Sequence, residues 1–154
     1  MTSDGQESDS AYELLLYLYR VTEEYDEMVS IAESAQALYE LIPEYNRQLA
    51  LAYLSQGKYD EAFEQAMTAD EKAYYRASTY GDSSVMNEKL YATVYVTAFL
   101  CDKYGEKSSN YADQIPDIMK SFEGRSFSGD KVDRILNGEA DVKDILKEGG
   151  CDLI

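Results

Sequence analysis

The sequence predicts an all-α protein, and three observations carry that expectation. Only Pro43 and Pro116 interrupt 154 residues in which Ala, Leu, Glu, Lys and Tyr outnumber the β-branched residues that favour strands. Apolar residues recur at helical intervals along most of the chain. The chain also matches itself at one fixed offset, the one that carries Tyr19 onto Tyr53, which is the mark of a repeated helical unit. With 45% hydrophobic content, this length suits one domain with a continuous core.

Ser10 and Glu13 have the spacing of a capping box, which predicts a helix start at Ser10 and a disordered tail over residues 1–9. From there Leu15, Leu18, Tyr19, Tyr25, Met28, Ala32 and Ala35 superpose, one repeat later, upon Leu49, Ala52, Tyr53, Tyr59, Ala62, Ala66 and Ala69. Asp26-Glu27 falls likewise on Asp60-Glu61. The second unit is readable as a helical hairpin. Ala50 and Ala62 let two antiparallel helices approach closely, Gly57 permits the positive φ that ends the first, and Tyr53 and Tyr59 fill the space between them.

The order large, small, tyrosine, glycine turn, tyrosine, small, from Leu49 to Ala62, resembles the tetratricopeptide repeat. The resemblance is strongest over residues 43–70 and extends over 9–42, with Tyr12 and Asn46 at the family's first aromatic position. Glu23 replaces the turn glycine and Met28 the small alanine, so a wider first hairpin is expected. The resemblance implies a right-handed superhelix of about three helical hairpins over residues 10–122, with C-terminal capping helices over 123–154.

The repeat register fails after residue 70, where Asn87 and Thr93 stand in the places that Tyr53 and Tyr59 reserve for tyrosines. Two stripes nevertheless predict a broadly buried helix over residues 84–104: Leu90, Val94, Thr97 and Cys101, and Tyr91, Tyr95, Ala98 and Phe99. Residues 109–122 supply its partner, kinked or shifted in its start by Pro116, to make a degenerate third hairpin. After a small, polar stretch from Gly124, Val132, Ile135 and Leu136, then Val142, Ile145 and Leu146, form two short amphipathic helices, the second stopped by Gly149-Gly150. Their expected task is to cover the last open core face of the stack.

Thirty acidic against fourteen basic side chains give a net charge of -16, which argues against nucleic acid or an anionic membrane as a direct ligand and favours a basic protein or peptide partner. The same acidity would also serve solubility. Residues 1–10 lack the pattern of a secretory signal, and no apolar run approaches the ~18 residues of a membrane span, so a soluble, cytoplasmic protein is expected. Cys101 and Cys151 lack metal-type spacing and are read as reduced thiols.

Catalysis finds little footing in a chain without histidine, the commonest general base and metal ligand. Glu23, Glu24, Asp26 and Glu27 open one helix, and Asp60, Glu61 and Glu64 another, where the helix dipole favours negative charge. Neither cysteine has a visible base, and there is no phosphate loop. No catalytic residue, metal site or cofactor is expected. Fifteen tyrosines exceed what hairpin packing needs, with Tyr17, Tyr39, Tyr45, Tyr74, Tyr75, Tyr80, Tyr91 and Tyr95 left for other packing or for an interface.

In tetratricopeptide proteins the first helix of each hairpin lines a concave groove. Carried over residue by residue, the resemblance implies partner contacts from Glu13, Tyr17 and Arg20 of the first unit and from Arg47, Leu51 and Leu54 of the second. Members that clamp a carboxy-terminal carboxylate use lysine and, a turn later, asparagine; Glu13 and Tyr17, then Arg47 and Leu51, stand there instead. The mixed set suits an extended or helical peptide. The expected function is a non-catalytic adaptor, chaperone or regulatory subunit, similar in layout to bacterial secretion chaperones of this fold. The alternative is an acidic inhibitor that imitates nucleic acid, as phage anti-defence proteins do.

Overall fold

A computed structural model of the protein describes residues 2–149 and 152–154. These form eight α-helices and no strand: α1 (Thr2–Val21), α2 (Tyr25–Leu38), α3 (Pro43–Ser55), α4 (Tyr59–Tyr80), α5 (Glu88–Tyr104), α6 (Ile115–Ser121), α7 (Lys131–Leu136) and α8 (Val142–Gly149). Single 3₁₀ turns, Ser83–Val85 and Ala112–Gln114, lead into α5 and α6. Each helix from α1 to α5 packs on the one that follows it, and α3 also touches α5. The expectations for Gly150 and Cys151 fall outside the described residues.

α1 continues through Ser10 towards Thr2, so the Ser10–Glu13 spacing does not mark its start, and the tail expected over residues 1–9 is helical from Thr2 onward. Once residues 12–21 are fixed by packing, each residue added outward gains a hydrogen bond without a new nucleation cost. α3 opens on Pro43, whose fixed φ and missing N–H suit a first turn. α5 is capped by Asn87, whose Oδ1 accepts from Leu90 N at 3.1 Å. Pro116 lies in the first turn of α6, so it sets the start of that helix and does not kink it.

The turns of the first two hairpins are the same structure, one repeat apart. In the first, Glu24 N donates to Tyr19 O (2.8 Å) and Glu23 N to Arg20 O (3.1 Å). In the second, Lys58 N donates to Tyr53 O (2.9 Å) and Gly57 N to Leu54 O (3.1 Å). This pair of bonds closes a helix end when the intervening residue is left-handed, and Glu23 (φ 59°) takes that conformation as Gly57 (φ 75°) does. The first turn is therefore no wider than the second, but it holds a side chain where glycine is favoured.

Small residues set the spacing of the stack. Ala32, Ala35, Ala50, Ala62, Ala66, Ala69 and Ala73 are all fully buried, and Phe63 fills the layer between α4 and its neighbours. Asp60, at the start of α4, gathers the loop that follows α5. Its carboxylate accepts from Lys107 N (2.9 Å), Ser108 N (3.2 Å), Ser108 Oγ (2.7 Å) and Cys101 Sγ (3.2 Å). Burial alone would push this carboxyl up, but the bonds from Ser108, Lys107 and Cys101 outweigh it and hold the group at about 2. Gly105 completes the wrap, since a Cβ there would lie 2.6 Å from Asp60 Oδ1.

The C-terminal segment does not extend the stack. α7 packs on α5, and α8 packs on α1 and α3. Val132, Ile135, Val142, Ile145, Leu146 and Leu153 are buried in one cluster with Leu16, Leu51, Leu54 and Val96. The segment thus turns back across the first helices of the hairpins.

Glu23→Gly should raise stability by about 0.5–1 kcal/mol, because glycine removes the left-handed penalty and the Lys147–Glu23 contact it forfeits is long and exposed; thermal melting should show a shift of a few degrees upward. Asp60→Asn should cost about 1–2 kcal/mol at pH 7. Because the folded Asp60 is depressed below its ordinary 3.8, its contribution is present above pH 4 and fades as pH falls towards about 2, so the gap between the two melting curves should close over that window.

Candidate partner-binding cleft

The residues that the repeat assigns to one groove divide into two groups. Arg47, Leu51 and Leu54 are 2%, 0% and 5% exposed, covered by the segment that contains α7 and α8. Arg20 is also buried. Glu13 and Tyr17 remain open, and the Arg20 guanidinium lies 5.7 Å from the centre of the Tyr17 ring. Leu51 and Leu54 are therefore core residues, because the chain supplies its own apolar cover for that face.

What stays open is a cleft of about 420 Å³ where α1, α3 and the C-terminal segment meet. Glu13, Tyr17, Arg20 and Val21 form its α1 wall, Glu44 and Gln48 its α3 wall, and Lys89, Lys147, Glu148 and Asp152 close it. Cations and carboxylates alternate around the rim, so the cleft is locally mixed in charge although the protein is strongly acidic.

Two of the lining carboxylates, Glu44 and Asp152, are held by Arg47. Its Nε donates to Glu44 Oε2 (2.7 Å) and its NH2 to Glu44 Oε1 (2.6 Å), a forked pair one turn apart on α3. NH1 reaches Thr93 Oγ1 at 3.4 Å, and NH2 reaches Asp152 Oδ1 at 3.5 Å. Asp152 also pairs with Lys89 Nζ at 3.0 Å, and Lys131 Nζ donates to its carbonyl at 3.4 Å. Beside this cluster Gln48 is 2% exposed; its Nε2 donates to Glu44 Oε1 at 3.1 Å, while its Oε1 finds no donor among the described residues. That acceptor belongs to a residue in the wall of the cleft.

Gln48, Lys89, Lys147, Glu148 and Asp152 were not foreseen as site residues. Asp152 lies 105 residues from Arg47, and no local pattern announces such a contact. The apolar spacing of Val142, Ile145 and Leu146 shows that α8 buries a face, but not which face it meets.

Burial and the Asp60 carboxylate push the Cys101 thiol up to about 12, which leaves it protonated and unreactive. Among the described residues no group of three potential ligands could hold a metal ion, and no helix is long and apolar enough to cross a membrane. No family model, curated protein or solved structure matches the chain.

Leu146→Ala tests the covered face. Leu146 is fully buried between α8 and the hairpins, so its truncation should cost about 2–4 kcal/mol and lower the midpoint of one cooperative transition. Were the segment a loose appendage, urea unfolding followed by tyrosine fluorescence would show an unchanged main transition.

Proposed function

We propose that this protein is a non-catalytic, tetratricopeptide-like scaffold (an adaptor, chaperone or regulatory subunit) that holds another protein at the cleft of α1, α3 and the C-terminal segment. The observation that carries this reading is the seating of α8: the first helices of successive hairpins present a face that takes an amphipathic helix, here the chain's own. The repeated turn closure supports the repeat reading. The unsatisfied acceptor of Gln48, in the wall of an open cleft beside a half-exposed tyrosine, supports a ligand that brings an N–H donor. The net charge of -16 favours a partner that is basic overall.

Cross-linking through Lys89 and Lys147 in a lysate of the native cell, read by mass spectrometry, should join the protein to a discrete partner. Tyr17→Ala should raise the dissociation rate of that complex about tenfold or more at any ionic strength, whereas neutralising Glu61 and Glu64 on α4 should mainly slow association at low salt. Binding that survives Tyr17→Ala but is abolished by the carboxylate changes would overturn this reading and put nucleic-acid imitation in its place.

A further inference from the structure

A second surface lies on α1 beside the wall that the helix gives to the cleft. Ala11, Leu14 and Leu18 are exposed, Leu14 by 58% and Leu18 by 42%. Their spacing alternates between three and four positions, the seam by which one helix packs along another. Nothing among the described residues covers it.

The internal repeat shows what such a face is for. Moved by one repeat, Ala11, Leu14 and Leu18 fall on Tyr45, Gln48 and Ala52 of α3, which are 1%, 2% and 0% exposed. In α3 the two outer positions pack on the second helix of the preceding hairpin, while Gln48 borders the cleft: α2 lies against α3, Tyr45 stacks on Tyr39 at 5.7 Å, and Ala52 shares a cluster with Met28, Ala32 and Ala35. The outer face of α1 is the same stacking surface without its helix. The helix that fits it carries apolar residues at i, i+4 and i+7, as α2 does with Met28, Ala32 and Ala35.

Charge selects the occupant. Glu13 stands between the seam and the cleft, and Glu24 and Glu23, the latter 3.4 Å from Lys147, close the seam's C-terminal end, all exposed, while the one described cation of α1, Arg20, is buried on another side. A second copy of the chain would bring the same acidic rim and another net charge of -16. We infer that the outer face of α1 docks an amphipathic helix of a different protein, apolar at i, i+4 and i+7 and flanked by lysine or arginine. Leu14 and Leu18 are not among the residues lining the cleft, so the two surfaces can be tested apart.

The probe is a synthetic fluorescent helix of about 20 residues, with leucine at i, i+4, i+7 and i+11 and lysine on the flanks, titrated against the full chain by anisotropy. The peptide should bind, more weakly as salt rises. A peptide with the same leucines and glutamate flanks should not. Leu14→Asn with Leu18→Asn should weaken binding about tenfold or more, and the paired alanine changes by less. Both positions are exposed, so the variants should keep the wild-type melting midpoint. Lys89→Ala, in the cleft, should leave peptide affinity unchanged. Equal affinity for the wild type and the asparagine variant would overturn the proposal by making the attraction purely electrostatic. So would sedimentation showing a wild-type dimer that the asparagine variant splits, since the occupant would then be a second copy.

Discussion

Arg47 places a full positive charge in the middle of α3, on a side chain that is 3% exposed. A guanidinium removed from water costs several kcal/mol unless the fold supplies its counterions. Glu44 supplies the first from the same helix, by a forked pair that any isolated α3 could form. Asp152 supplies the second from the far end of the chain, and it does so only if the C-terminal segment lies back across the hairpins. The apolar side chains of α7 and α8 provide most of the free energy of that docking. The ion pairs of Asp152 fix where the segment comes to rest.

α3 is therefore the element on which the molecule converges. Ten of its thirteen residues are buried, and it meets α2, α4, α5 and α8. Burying so much of one helix brings polar groups with it, and most are answered. Asn46 donates to Gln65 Oε1 at 2.9 Å and accepts from Lys72 Nζ at 2.7 Å, tying α3 to α4. Gln48 is the exception, with one acceptor left over, and it stands where α3 borders the open cleft.

The hairpins were legible because their causes are local. Gly57 and the Tyr53 carbonyl lie within one turn; the missing glycine at Glu23 pointed to a wider turn, but the same closure forms there with Glu23 itself left-handed. Pro116 likewise sets the start of α6 over a short range. The exposure of Leu51 and Leu54 has no such cause. It depends on whether a segment far along the chain, Val142 to Leu153, lies over them, and the resemblance to an open groove could not register a chain that fills its own. The surplus tyrosines divide similarly. Tyr39 and Tyr45 join Tyr12 in a ring cluster, and Tyr91 and Tyr95 pack with Phe122 and Phe127 beneath the Arg125 guanidinium. Tyr17, Tyr74, Tyr75 and Tyr80 stay at the surface.

A short stack of hairpins has two kinds of apolar face to manage, the sides of its first helices and its open end. The C-terminal segment covers the first and leaves the second, so α1 is held by α2 and α8 on one side only. A helix held on one side gains more from a partner than one already enclosed, because docking orders it as well as burying its seam. α8 rests on that same α1, and Lys147 of α8 reaches Glu23 at 3.4 Å, at the turn that ends it. Docking at the outer face of α1 would bury the seam of Leu14 and Leu18 that α2 and α8 leave open.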